Sequence, residues 1–119
     1  MKRILIVDDA ITMRQLVAAT LKSAGYEVVD ARDGVDALKK LETGRFNLIV
    51  SDVNMPNMDG MELIKTLKSD PKYKFIPIVV LTKEDSPEMK RKGQAAGAKA
   101  WVVKPFKPNT ILEVIKKIM

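Results

Sequence analysis

The chain has 119 residues, neither cysteine nor histidine, and a net charge of +6. A chain of this length forms one domain, residues 1–119, with a single core that needs no disulfide or metal staple. Thiolate zinc sites, disulfide frameworks, imidazole ligation and histidine-based triads are excluded, so any chemistry must use carboxylates, hydroxyls, lysine and backbone.

Met1-Lys2-Arg3 precedes an apolar run of only four residues, Ile4–Val7. A signal h-region needs roughly 7–15 apolar residues and a membrane span about 20. A soluble, cytoplasmic protein without a membrane partner is expected. The charge is unevenly placed: from Lys83 to Met119 nine bases face four acids. That basic third suits nucleic acid or an acidic protein surface, or is a solvated lysine-rich face.

Arg3–Val7 reads as a buried strand closed by Asp8-Asp9. Met13, Leu16, Val17, Leu21 and Ala24 then recur at helical spacing from Ile11, and Gly25 supplies a left-handed stop. A short strand, Glu27–Ala31, follows. Asp33 is placed to cap a helix with Val35, Leu38 and Leu41 inward that ends at Gly44. Asn47–Ser51 is the central strand and stops at Asp52, before a loop dense in turn residues. Asp59 caps the next helix, with Met61, Ile64 and Leu67 inward, which stops before Asp70-Pro71. Pro77 stands at the start of a strand that runs through Ile78–Leu81 to Thr82. Ser86-Pro87 opens a weak, mobile helix with Met89 and Ala96 inward. Gly93 in its interior costs about 1 kcal/mol relative to alanine. Gly97 ends it, Ala100–Val103 is a strand, and from Pro108 a last helix buries Ile111, Val114, Ile115 and Ile118.

Five β–α units result. Four of the strands are near-continuous apolar runs, the mark of a parallel sheet covered by helices on both faces. In such sheets ligands bind beyond the C-terminal strand ends. There the chain delivers Asp8 and Asp9, Asp52, Thr82 and Lys104. Each has a bland reading alone: Asp8-Asp9 as helix-terminus acids, Asp52 as a strand stop, Lys104 as a solvent lysine. Together they describe a crevice. Three converging carboxylates repel one another unless a hard cation joins them, and carboxylate or carbonyl oxygens plus water suit Mg²⁺ better than Ca²⁺. A carboxylate beside Mg²⁺ and lysine can accept a phosphoryl group as an aspartyl phosphate. Its oxygens would be neutralised by the metal, the Lys104 ammonium, and the Thr82 hydroxyl with a backbone N–H.

The set Asp8-Asp9, Asp52, Met55-Pro56-x-x-Asp59-Gly60, Thr82, Ala96-Gly97-Ala98 and Lys104-Pro105-Phe106 resembles the receiver domain of two-component response regulators. The resemblance spans nearly the whole chain. Asp8-Asp9-x-x-Thr12-Met13-Arg14 and Trp101-Val-Val-Lys104-Pro-Phe106 are most similar to single-domain, CheY-like chemotaxis regulators. The resemblance implies a flavodoxin-like (βα)5 three-layer sandwich of strand order 2-1-3-4-5. It also implies Asp52 as phosphoacceptor, and Asp8, Asp9, Asp52 and the Asn54 backbone carbonyl at Mg²⁺. Thr82 would be a switch residue with Lys104, and Trp101 its aromatic partner, with a cis peptide between Lys104 and Pro105. The implied phosphodonor is a phosphohistidine on a sensor histidine kinase. The implied output is an altered surface on the fourth helix, fifth strand and fifth helix, read by a protein such as a motor switch component, with a phosphatase as a further partner. The protein would be a monomeric switch rather than an enzyme, assisting only its own phosphorylation and dephosphorylation.

Two positions depart from the family pattern. Trp101 stands where Tyr or Phe is usual, which leaves open a moving ring or a fixed one. Lys83 stands where a small residue is usual, and either shades the phosphoryl site or offers it a second cation. Three rivals stay in view: a phosphorelay intermediate or a receiver cut from a longer regulator; a nucleic-acid-binding protein using the basic third, though no recognition helix or stacking platform is evident; and a hydrolase, for which Glu84 is the one local acid–base candidate.

Overall fold

The apolar runs form one parallel sheet, and the periodic segments form the helices that cover it. The computed structural model describes residues 2–119. Its elements are β1 (Arg3–Val7), α1 (Ile11–Ser23), β2 (Glu27–Ala31), α2 (Gly34–Leu41), β3 (Leu48–Ser51), α3 (Gly60–Lys68), β4 (Ile78–Thr82), α4 (Pro87–Ala96), β5 (Ala100–Val103) and α5 (Pro108–Ile118). All four strand pairings are parallel and the order is β2-β1-β3-β4-β5. This is the expected flavodoxin-like sandwich.

Alternation along the strands divides the core in two. Leu5, Val7, Ile49, Ile78 and Val80 pack with Ala37, Leu41, Leu63, Ile64 and Leu67, under α2, α3 and α4. Ile4, Ile6, Leu48, Val50, Val79 and Leu81 pack with Val17, Leu21, Ile111 and Ile115, under α1 and α5. Complete burial of each valine, leucine or isoleucine among them contributes about 1.5–3 kcal/mol. The middle strands β3 and β4 are buried along their whole length, whereas β5 at the sheet edge is half-buried.

The helix limits follow local chemistry. Asp33 accepts the Asp36 N–H at 2.8 Å, Asp59 the Glu62 N–H at 2.9 Å, and Ser86 the Met89 N–H at 3.2 Å. Gly97 ends α4 in the left-handed region, at φ 118°. The reading of Asp8-Asp9 as helix caps fails, because the residue before α1 is Ala10 and no side chain caps it.

Three further expectations are corrected. The helix after Asp33 stops at Leu41 rather than Gly44, since the Glu42 and Thr43 N–H groups turn back to Lys39 and Lys40. Leu16 and Val35 are 49% and 41% exposed, and Ala24 is exposed too. The buried stripe of α1 runs through Val17 and Leu21, with Met13 and Ala18 packed beside it, and Leu16 stands one residue off it. The central strand begins at Leu48, while Asn47 uses its side-chain oxygen and its N–H to bond the backbone of Arg3. Among the described residues no helix is long and apolar enough to cross a membrane.

Candidate functional site

Parallel register carries the chemistry to one edge. Val7 pairs with Ser51 and Thr82 with Val103, so Asp8 and Asp52 leave the sheet side by side and Lys104 leaves beside Thr82. The last ladder bonds continue into the site: the Asp52 N–H donates to Val7 O at 2.9 Å and the Lys104 N–H to Thr82 O at 2.8 Å. Asp8, Asp52 and Lys104 keep the strand parity of Ile6, Val50 and Val102, whereas Thr82 keeps that of Val80.

The centre is an ion triad. Lys104 Nζ lies 2.8 Å from Asp8 Oδ2 and 3.0 Å from Asp52 Oδ2, and all three side chains are close to fully buried. Burial pushes the Lys104 ammonium toward deprotonation, but the bonds and charges of Asp8 and Asp52 outweigh it and leave its pKa raised above the ordinary 10.5. The remaining carboxylate oxygens are held by backbone. Asp52 Oδ1 accepts from the Val53 N–H at 2.6 Å and the Asn54 N–H at 3.3 Å, and Asp8 Oδ1 accepts from the Ala10 N–H at 2.9 Å.

Asp9 is exposed at the mouth, and it and the pair Asp8 and Asp52 each offer a carboxylate oxygen within 4.8 Å of the others. Three carboxylates against one ammonium leave two negative charges, and every donor is a hard oxygen. That set fits a hard divalent cation such as Mg²⁺. Asn54 follows in the loop, exposed, with its N–H on Asp52.

Thr82 is fully buried, and its hydroxyl accepts the Glu84 N–H at 3.2 Å. Trp101 lies on the same face of the sheet, half-buried, and its indole Nε1–H donates to the Glu84 carbonyl at 2.9 Å. The ring lies over Gly93 of α4, where an added Cβ would sit 2.5 Å from Trp101 Cζ3. The glycine that weakens α4 in isolation is the space the indole occupies. Lys83 is exposed. The Lys104–Pro105 peptide is cis.

Two supports were not legible as such in the sequence. Arg14 donates to the Asp8 carbonyl at 2.8 Å and to Asp30 Oδ2 at 2.8 Å, bracing the β1–α1 corner. Asp33 does more than cap α2, because its other oxygen accepts the Asn57 side-chain amide at 2.8 Å. An arginine one helical turn into α1 and an asparagine in a turn after Asp52 were the only signals, and neither names its partner.

The family model for the response regulator receiver domain matches residues 4–116. Chemotaxis protein CheY-3 of Vibrio cholerae is 38% identical over 117 residues, covering 98% of this chain and 90% of that protein. The structure of V. cholerae chemotaxis protein CheY4 is 50% identical, with a TM-score of 0.95, and covers 100% of this chain and 99% of that one. Response regulator TrrA of Thermotoga maritima, solved in complex with Mg²⁺-BeF, is 34% identical with a TM-score of 0.88 and full coverage of both chains. The chain belongs to the response regulator receiver domain family, as a CheY-like member.

Proposed function

We propose that residues 1–119 form one phosphoacceptor switch, in which Asp52 takes a phosphoryl group from a phosphohistidine of a sensor histidine kinase. The observation that carries this reading is the buried Lys104 ammonium held between Asp8 and Asp52 at 2.8 and 3.0 Å, with Asp9 at the rim. A carboxylate oxygen of Asp52 attacks phosphorus, the P–N bond breaks, and its electron pair leaves with the imidazole of the donor. Lys104 then shifts its ammonium from the carboxylate to a phosphoryl oxygen. The Thr82 hydroxyl, now bonded by the Glu84 N–H, offers its proton to another. Asp8, Asp9, Asp52 and the Asn54 carbonyl would hold Mg²⁺, which when bound neutralises phosphoryl oxygen charge.

Phosphorylation adds a charge of about −1.5 to −2. Drawing Thr82 toward that charge disturbs the Glu84 segment, and Glu84 is tied through Trp101 to β5 and to Gly93 of α4. The surface of α4, β5 and α5 is therefore the output face, read by a protein such as a motor switch component in chemotaxis or motility. A phosphatase is a further partner, and the protein acts in the cytoplasm as a monomer. Nucleic-acid binding by the basic third finds less support: Lys104 is consumed by the site, and Lys90 and Lys92 face Asp85 and Glu88 at 4.0 and 3.4 Å. Mg²⁺-dependent labelling by a small phosphodonor, present in wild type and absent in Asp52→Asn, tests the reading; labelling that persists in Asp52→Asn overturns it.

A further inference from the structure

The loop after Asp52 is hydrogen-bonded at both ends, and between them Met55 packs half-buried against the core. At its start Asp52 Oδ1 gathers the Val53 and Asn54 N–H groups, and the Gly60 N–H returns to the Val53 carbonyl at 2.8 Å. At its far end the loop is clasped to the start of α2. The Asn57 side-chain amide donates to Asp33 Oδ2 at 2.8 Å, and the Gly34 N–H donates to the Met58 carbonyl at 3.1 Å. Gly34 has to be glycine for this approach, since an added Cβ would stand 2.7 Å from both Met58 O and Met58 Cγ.

The clasped residue is also the strained one. Asn57 is the one non-glycine residue with positive φ among the described residues, at 67°, and the Met58 N–H closes a tight turn onto Pro56 O at 2.8 Å. Such a turn is disfavoured for an L-residue and persists where surrounding bonds hold it. Asp33, only 4% exposed, supplies the holding group. Its carboxylate is divided, one oxygen capping α2 through the Asp36 N–H and the other holding Asn57.

We propose that Asp33 and Asn57 are positioning residues for the cation site: their hydrogen bond holds the 54–58 loop so that the Asn54 carbonyl faces the same space as the carboxylates of Asp8, Asp9 and Asp52. The inference rests on the reading of that crevice as a Mg²⁺ site. Neither Asp33 nor Asn57 belongs to the carboxylate cluster that would hold the cation. The clasp sets where the loop's contribution lies, and outer partners that orient metal ligands are worth about 10–100-fold in affinity.

Calorimetric titration with Mg²⁺ alone, alongside thermal unfolding, tests it in five variants. Asn57→Gly removes the amide but accepts the positive φ, so its folding is spared. Asp33→Ser keeps an N-cap and loses the reach to Asn57. Both are expected to weaken Mg²⁺ binding about tenfold. Asp33→Asn can cap α2 and still pair with Asn57 by amide flip, and is expected to bind within about twofold of wild type. Asp9→Asn and Asp52→Asn serve as reference losses. Wild-type Mg²⁺ affinity in Asn57→Gly and Asp33→Ser, while the two references lose it, overturns the clasp alone. Reference variants that bind as wild type, or a wild type that binds no Mg²⁺, overturn the cation site and the clasp with it.

Discussion

The indole Nε1–H of Trp101 donates to the backbone carbonyl of Glu84, at 2.9 Å, while the N–H of Glu84 donates to the hydroxyl of Thr82. One residue of backbone thus joins the ring on β5 to the hydroxyl at the end of β4. The ring is seated inward, over Gly93, and its emission distinguishes a ring that moves with Thr82 from one that stays fixed. In wild type, Trp101 emission is expected to shift on titration with Mg²⁺ and beryllofluoride, and not to shift in Asp52→Asn. A mimic that binds without changing the emission would separate the ring from the switch and leave the site intact.

The seat of the indole makes a second expectation unusual. Replacing a mid-helix glycine by alanine ordinarily stabilises by about 1 kcal/mol. At Gly93 the new methyl would collide with the Trp101 ring, and overpacking costs about 1–3 kcal/mol. Gly93→Ala is therefore destabilising in wild type and stabilising in a Trp101→Ala background. Urea midpoints of the four proteins in that cycle measure the reversal, and a Gly93→Ala that stabilises both backgrounds removes the packing account.

Asp9 is exposed and makes no ion pair among the described residues, yet it faces two other carboxylates. Without metal, Asp9→Asn is expected to leave stability unchanged or slightly raised, because a repulsion is relieved. With Mg²⁺ at 100 times its Kd, wild type is expected to gain about 2.7 kcal/mol by linkage, and Asp9→Asn clearly less. Thermal unfolding with and without Mg²⁺ gives both numbers.

Lys104 occupies the charge position a cation would share. Lys104→Met removes the competing ammonium from Asp8 and Asp52 and is expected to tighten Mg²⁺ binding by about tenfold, equivalent to about 1.4 kcal/mol. The Trp101 response to beryllofluoride should be lost in the same variant, since the anion loses its cationic partner on the β5 side. Calorimetry and fluorescence on one sample set read the opposite directions.

Asp33 gives a stability effect at acid pH. Its carboxyl lies below the ordinary 3.8, lowered first by the Asp36 N–H and then by the Asn57 amide, against the opposing push of burial. A carboxylate depressed in the folded state contributes stability that is present above 3.8 and is lost as pH falls through the folded value. Wild type is expected to lose stability more steeply than Asp33→Asn below pH 3.8, with the two curves parallel above about pH 5. Urea unfolding across that range measures the slopes; parallel curves throughout would remove Asp33 from the acid transition.

The strands and helices, their succession along the chain and the set of groups at the strand ends were legible in the residues, whereas the strand order in the sheet rests on the family resemblance. Short, near-continuous apolar runs bounded by turn residues suit a covered parallel sheet, in which the residue after each run emerges at the same edge. Asp8, Asp9, Asp52, Thr82 and Lys104 follow from that rule and from local spacing alone. Tertiary structure decided what spacing cannot encode. Leu16 and Val35 have helical periodicity, but how far the sheet extends beneath each helix determines which apolar residues it covers. Gly93 carries a propensity cost in sequence and a packing role only once Trp101 arrives from β5. The bonds of Arg14 to Asp8 and Asp30, and of Asn57 to Asp33, join residues 6 to 24 positions apart, whose partners are set by how crossovers return to the sheet. The chain by itself determined which groups meet at the edge, because strand ends are a local property. The folded packing decided how rigidly they are held, because that depends on neighbours brought together from different units.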